Sequence, residues 1–134
     1  MDCYRTTMER KLSADTLRVM FEEQDRFMKL LQRERNFVNY PVELSTKSGQ
    51  KIVKDISHEC LHELFEAIHL LTDSKDHRKT LTGTFDREKF LEELSDALHY
   101  YIEICILCGI ESSELYDAFM KKSEVNFNRI NNGY

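Results

Sequence analysis

Glycine and proline are scarce in this sequence, with four and one among its 134 residues. Few tight turns can interrupt its elements, which favours long helices and an all-α fold. Long apolar stretches free of charge are also missing, which excludes a membrane-spanning helix, and no segment has the pattern of a signal peptide. A surplus of positive charge is missing too. Because the formal net charge is −5, we expect no general affinity for nucleic acid or for an anionic membrane surface.

What is present fits one soluble domain. The length of 134 residues, with 41% hydrophobic and 32% charged residues, is enough for one core and too short for two. We therefore expect a single domain over residues 1–134. The four cysteines fall mostly within apolar helical patterns, which suits reduced thiols in the cytoplasm. They are Cys3, Cys60, Cys105 and Cys108.

Hydrophobic periodicity predicts four main helices joined by two polar loops. The third helix has Asp86 as its N-cap and ends at Gly109. The loops cover Asn36–Gln50, which holds the only proline, and Thr72–Thr84. The predicted helices are about Ala14–Arg35, about Lys51–Leu71, about Asp86–Cys108, and from Ser112 or Ser113 toward Ile130.

Two acidic pairs on the second and third helices are the strongest chemical signal. Glu63 and Glu66 form an ExxE step, and Glu93 and Asp96 form an ExxD step 30 residues later. Residues three apart share one face of a helix, so each pair can hold one cation between two carboxylates. If the two helices pack side by side, four carboxylates meet, and they repel unless a cation neutralises them. Ligand sets made only of oxygen favour Mg²⁺ or Mn²⁺ over zinc, so the sequence predicts a magnesium site.

Two further segments place polar groups where a ligand could use them. Gln24 lies on the apolar stripe of the first helix, so its buried amide needs a partner in the protein or on a ligand. On the last helix, Leu115 and Phe119 are followed at helical spacing by Lys122, Asn126 and Arg129. An apolar stripe that turns cationic is typical of a helix whose end lines a cleft, although a solvated amphipathic end is the alternative.

A zinc peptidase is the competing interpretation of the second helix. The segment HECLH, from His58 to His62, is a literal HExxH motif, in which two histidines hold Zn²⁺ and a glutamate activates water. A third ligand at a usable spacing is missing, since His69 lies seven residues after His62. We therefore expect these histidines not to bind zinc.

The acidic pairs and the C-terminal tail together resemble the all-α NTP pyrophosphatases, the superfamily of MazG and the dimeric dUTPases. The pairs are similar to the EExxE and ExxD motifs, with His62 in place of the first acid. The tail resembles the K-x3-N-x2-R-x3-GY ending of dimeric dUTPases and of phage dCTP/dUTP pyrophosphatases. Its matching positions are Lys122, Asn126, Arg129, Gly133 and Tyr134.

This resemblance implies a four-to-five-helix bundle assembled as a homodimer, and a Mg²⁺-dependent enzyme. The implied reaction converts a deoxynucleoside triphosphate, dUTP or dCTP, into the monophosphate and pyrophosphate. Glu63, Glu66, Glu93 and Asp96 would bind the metal, and Glu66 would also orient or deprotonate the attacking water. The implied substrate-binding residues are Gln24 and Tyr100 at the base, Lys122, Asn126 and Arg129 at the phosphates, and Tyr134, which would close over the nucleotide.

Two other functions stay open at this point. One is a MazG-like pyrophosphatase for another nucleotide. The other is a helical interaction module without enzymatic activity, whose acids bind structural divalent ions. Release of pyrophosphate that depends on magnesium would separate the enzymes from the module.

Overall fold

The computed structural model describes residues 15–80 and 83–133. Within these ranges the chain forms four α-helices and no strands, so the predicted all-α class is confirmed. The helices are α1 at Thr16–Arg35, α2 at Lys47–His69, α3 at Arg87–Leu107 and α4 at Ser112–Asn131. None of these helices is long and apolar enough to cross a membrane.

The chain divides into two compact units. The described residues of the first unit are 15–40 and 109–133, which hold α1 and α4. The second unit is made of residues 41–80 and 83–108, which hold α2 and α3. The single domain that we expect from the chain length stays a prediction.

In the first unit, α1 is fixed by caps at both ends. The side chain of Asp15 accepts a hydrogen bond of 3.1 Å from the backbone N–H of Arg18, which satisfies one of the unpaired donors of the first turn. At the other end Asn36 adopts the left-handed conformation, with φ of 52°. The buried face of α1 carries Phe21, Gln24 and Met28. By contrast, α4 has no buried residue.

In the second unit, α2 and α3 pack against each other in antiparallel directions. The thiol of Cys60 lies 3.2 Å from the carbonyl oxygen of Ala97, while the N–H of Val42, before α2, donates to the carbonyl of Leu107 at the end of α3. Ala67 and Ala97 are both buried. Small side chains let two helices approach closely, so groups on their facing sides can meet.

The start of α2 differs from the prediction. The helix begins at Lys47, four residues before the predicted start, because Thr46 caps it by accepting a 3.0 Å hydrogen bond from the N–H of Gly49. Gly49 is buried, and a β-carbon there would overlap the carbonyl of Glu43. The small polar cluster of residues 45–49, which the prediction placed in the loop, is therefore the cap and first turn of the helix, and only its beginning belongs to the loop.

The end of α2 and the whole of α3 follow the prediction closely. The cap of α3 is Asp86, as predicted, and its side chain accepts a 3.0 Å hydrogen bond from the N–H of Lys89. Gly109 follows α3 with φ of 72°. This left-handed conformation is easily adopted by glycine, which explains why the helix ends there.

Candidate functional site

Three of the four predicted metal ligands meet between α2 and α3. Glu63, Glu93 and Asp96 each offer a carboxylate oxygen, and these oxygens all lie within 4.8 Å of one another. The antiparallel register of α2 and α3 produces this arrangement, because it sets Glu63 opposite the turn of α3 that carries the other two acids. Glu93 is buried, whereas Glu63 and Asp96 are partly exposed.

This acidic cluster, Glu63, Glu93 and Asp96, holds more negative charge than the cations around it balance. Burial, then the negative charges of Asp96 and Glu93, raise the pKa of Glu63. A hydrogen bond with the carboxyl of Glu93 acts in the same direction. A divalent cation bound between these acids would offset their mutual repulsion, and the donor set consists of carboxylate oxygens, which fits Mg²⁺ or Mn²⁺.

Lys89 supplies part of the missing positive charge. Its Nζ lies 2.9 Å from Oε1 of Glu93 and 3.7 Å from Oε2 of Glu92. Both contacts arise from helical spacing, because the three residues lie within one turn of α3. The hydrogen bond to Glu93 raises the pKa of Lys89, which therefore stays protonated. Sequence reasoning did not single out Lys89, although its position four residues before Glu93 was a usable signal.

Glu66, the fourth predicted ligand, does not join the acidic cluster. Its Oε1 lies 3.4 Å from Nε2 of His62, one turn earlier on α2, and its side chain is 49% exposed. His62 is the residue that stands where the related motif has its first acid. The departure from the motif therefore places a histidine next to Glu66, where the related motif has an acid.

Tyr100 follows the acidic cluster along α3. It lies four residues after Asp96, and so on the same side of the helix. Burial raises the pKa of its hydroxyl, and the negative charges of Glu59, Glu103, Glu63 and Asp96 raise it further. The phenol is therefore neutral and surrounded by carboxylates on both helices.

The other predicted substrate-binding residues lie in the first unit or outside the described residues. Gln24 is buried on α1, with 4% of its surface exposed. Lys122, Asn126 and Arg129 are exposed and follow one another along α4 at steps of four and three, as their spacing predicted. Tyr134 lies outside the described residues.

The histidines of the HECLH segment do not form a metal site in the described part of the chain. His58 and His62 are exposed on α2, and neither belongs to the group of potential metal donors found there. This geometry gives no support to the zinc peptidase interpretation.

Comparison with known proteins identifies the family of this chain. The sequence matches the family model for dUTPase over residues 7–134. No curated protein and no solved structure matches the chain. The match includes both acidic pairs and the tail, and it covers nearly the whole sequence. The chain therefore belongs to the dUTPase family.

Proposed function

We propose that this protein hydrolyses dUTP, with dCTP as a second substrate, to the monophosphate and pyrophosphate in a Mg²⁺-dependent reaction. The observation that carries the proposal is the meeting of Glu63, Glu93 and Asp96 within 4.8 Å in a member of the dUTPase family. The three carboxylates repel one another, and the substrate that the family name implies is itself a polyanion. A cation is therefore needed between the carboxylates and the phosphates of the substrate.

Glu63, Glu93 and Asp96 would hold the metal, and Glu66 would complete the set by leaving His62. A bound Mg²⁺ supplies neutralisation of the phosphate charge in the transition state, and Mn²⁺ fits the same oxygen donors. Glu66 would orient the attacking water and accept its proton, because it is the most exposed of the four acids and is not held in the acidic cluster.

The remaining residues would bind the nucleotide. Lys122, Asn126 and Arg129 present two cations and an amide along one side of α4, and these groups would hold the phosphates. The ring of Tyr100 would stack on the base, which adds affinity with little choice among bases. The amide of Gln24 would contact the base edge, and Tyr134 would close over the nucleotide.

We also propose that two copies of the chain form a homodimer. On α2, Leu61, Leu64, Phe65 and Ile68 recur on one face with exposures of 40% to 56%, and on α3 Leu91, Leu94, Leu98 and Tyr101 do the same with 37% to 65%. Apolar faces of this extent on neighbouring helices are unusual for a monomer. The α2 and α3 helices of a second copy would cover these faces, in line with the dimeric assembly of the enzymes that the sequence resembles.

Pyrophosphate release is the direct test. Purified protein is incubated with dUTP, dCTP, dTTP, dATP or dGTP and Mg²⁺, with a chelator in parallel samples. We expect dUTP to give the highest kcat/KM, dCTP the next, and the chelator to abolish turnover. Asp96→Asn should lower kcat by about 100-fold or more, because it removes one metal-binding charge. Glu124→Gln, an exposed acid on α4, is the control and should leave activity unchanged.

Each outcome of this test bears on one part of the proposal. A clear preference for a purine would contradict the choice of substrate and leave a pyrophosphatase for another nucleotide. Absence of any magnesium-dependent pyrophosphate release would favour an interaction module. Full activity of Asp96→Asn would refute the assignment of the site.

A further inference from the structure

Glu103 is a buried acid that the site described above does not use. It lies on α3 with 4% of its surface exposed. Within the described residues no hydrogen bond or ion pair of its carboxyl is seen, and no fully buried side-chain oxygen there lacks a partner, so the carboxyl keeps a small contact with solvent. Burying most of a carboxyl group without a partner is costly, because the group loses most of its hydration and gains nothing in exchange. Such a group is typical of a site whose partner is a ligand.

Glu103 lies on the same side of α3 as the acids of the acidic cluster. Glu93, Asp96, Tyr100 and Glu103 follow one another at steps of three, four and three, so they form one line along α3. The negative charge of Glu103 acts on the hydroxyl of Tyr100 together with those of Glu63 and Asp96. Glu103 is thus close to Tyr100, and Tyr100 lies between Glu103 and the acidic cluster along α3. Glu103 lies seven residues after Asp96, which is about 10 Å along a helix.

That separation matches the shape of a nucleotide. With the phosphates at the acidic cluster and the base on Tyr100, the far edge of the base would reach the next turn of α3. The group found at that turn is the carboxyl of Glu103.

We infer that Glu103 is a base-recognition residue, which hydrogen-bonds the edge of a pyrimidine at N3 and the neighbouring exocyclic group. This inference rests on the proposed function, because it takes the acidic cluster as the phosphate end of the site. It adds a second polar contact to the base beside the one assigned to Gln24.

The chemistry of a neutral carboxyl suits this edge. A protonated carboxyl carries one O–H donor and one C=O acceptor side by side. Uracil presents an N3–H donor beside a carbonyl oxygen, and cytosine presents an N3 acceptor beside an amino group. The carboxyl of Glu103 can make two hydrogen bonds to either base by exchanging the roles of its oxygens. Burial raises the pKa of Glu103 to about 7, so the neutral form is well populated near neutral pH.

The test compares two substrates on the same enzyme, dUTP and N3-methyl-dUTP, whose methyl group blocks the edge. Wild-type protein should prefer dUTP strongly in kcat/KM. In Glu103→Ala, kcat/KM for dUTP should fall by about 10-fold to 100-fold, because a buried hydrogen-bonding partner of the base is lost. N3-methyl-dUTP should be hydrolysed as well as before or better, because the truncation makes room for the methyl group. The ratio of the two rates should therefore collapse.

Two further variants make the test specific. Glu103→Gln keeps a donor and an acceptor in place, so it should retain the preference for dUTP. Gln24→Ala is the matched control at another buried polar residue. A ratio of two substrates measured on one preparation does not depend on the folded fraction of that preparation, so loss of stability in Glu103→Ala cannot imitate the result.

The outcomes separate this inference from the function on which it rests. If wild-type protein releases no pyrophosphate from any deoxynucleoside triphosphate, both fall. If it is active on dUTP and the ratio is the same in wild type and Glu103→Ala, the function stands and the role of Glu103 is refuted. A collapse of the ratio in Gln24→Ala alone would assign the base edge to Gln24 and likewise overturn the inference.

Discussion

Replacing Glu103 by glutamine should make the stability of the protein less dependent on pH. Burial raises the pKa of this carboxyl from 4.5 to about 7 in the folded protein. The folded state therefore binds the proton more tightly than the unfolded state, so the wild type loses stability as pH rises from about 4.5 to about 7. Each pKa unit corresponds to about 1.4 kcal/mol, so between pH 5 and pH 8.5 the loss is about 2 to 3 kcal/mol. Glutamine carries no charge and avoids this loss.

The measurement is urea denaturation of wild type and Glu103→Gln at pH 5 and pH 8.5, at one protein concentration because association adds to apparent stability. At each pH the free energy of unfolding of wild type is subtracted from that of Glu103→Gln. The result at pH 8.5 is then compared with the result at pH 5, which gives its change with pH. Any constant cost of burying the glutamine amide cancels from that change. Glu124→Gln, at an exposed position, should show no such change. Parallel pH dependence in wild type and Glu103→Gln would refute the reasoning that the buried carboxyl stays unpaired.

Two other changes test the acidic cluster and the apolar faces. Glu93→Gln should raise the melting temperature of the metal-free protein, measured by circular dichroism. Relief of repulsion from Glu63 and Asp96 should outweigh the lost ion pair with Lys89, whose side chain is 47% exposed. A lower melting temperature would argue against a crowded cluster. Leu91→Lys should shift the sedimentation equilibrium from dimer toward monomer with unchanged helicity, because this 65% exposed side chain is solvated in the single chain; an unchanged dimer would exclude Leu91 from the interface.

The class of fold was readable from the sequence because the helices are long and periodic. Asp86 and Gly109 were correct as the limits of α3, since an acid before an apolar run and a glycine after it have direct physical roles at helix ends. The start of α2 was missed for a tertiary reason. Gly49 lies against the carbonyl of Glu43, and this close approach, which turns the small polar cluster into a cap, is invisible in the sequence.

The sequence predicts the two acidic motifs of the candidate site, but it does not predict which of their side chains meet. Equal spacing placed Glu63, Glu93 and Asp96 on helices that could face each other, and the structure brings them together. Spacing could not tell which member of each pair points at the neighbouring helix. Residues three apart differ by about 60° around a helix, so one acid of a pair can face inward while the other faces solvent. Glu66 is the outward one, and His62 is within reach of it.

Glu103 carries a sequence signal that the prediction of the site did not use. It is an acid in the most apolar part of α3, and an acid in such a stretch either has a partner or costs folding free energy. Its line with Glu93, Asp96 and Tyr100 could be drawn from the sequence, but the absence of a partner could not. That absence depends on which groups the other elements bring near, and so it required the structure.

The second unit contains two acids, Glu63 and Glu103, whose ionisation lowers the stability of the folded protein. Burial and the neighbouring acids Asp96 and Glu93 raise the pKa of Glu63, and burial raises the pKa of Glu103, so both acids destabilise the metal-free protein as pH rises. Ligands that satisfy these groups must give back part of that free energy. A divalent cation would do so at Glu63, and a pyrimidine base would do so at Glu103. The gain in stability on adding Mg²⁺ should therefore be larger at pH 8 than at pH 6, because the cation binds the ionised carboxylates. The contribution of Glu103 to the further gain on adding nucleotide should be smaller at pH 8 than at pH 6, because the base binds the protonated carboxyl.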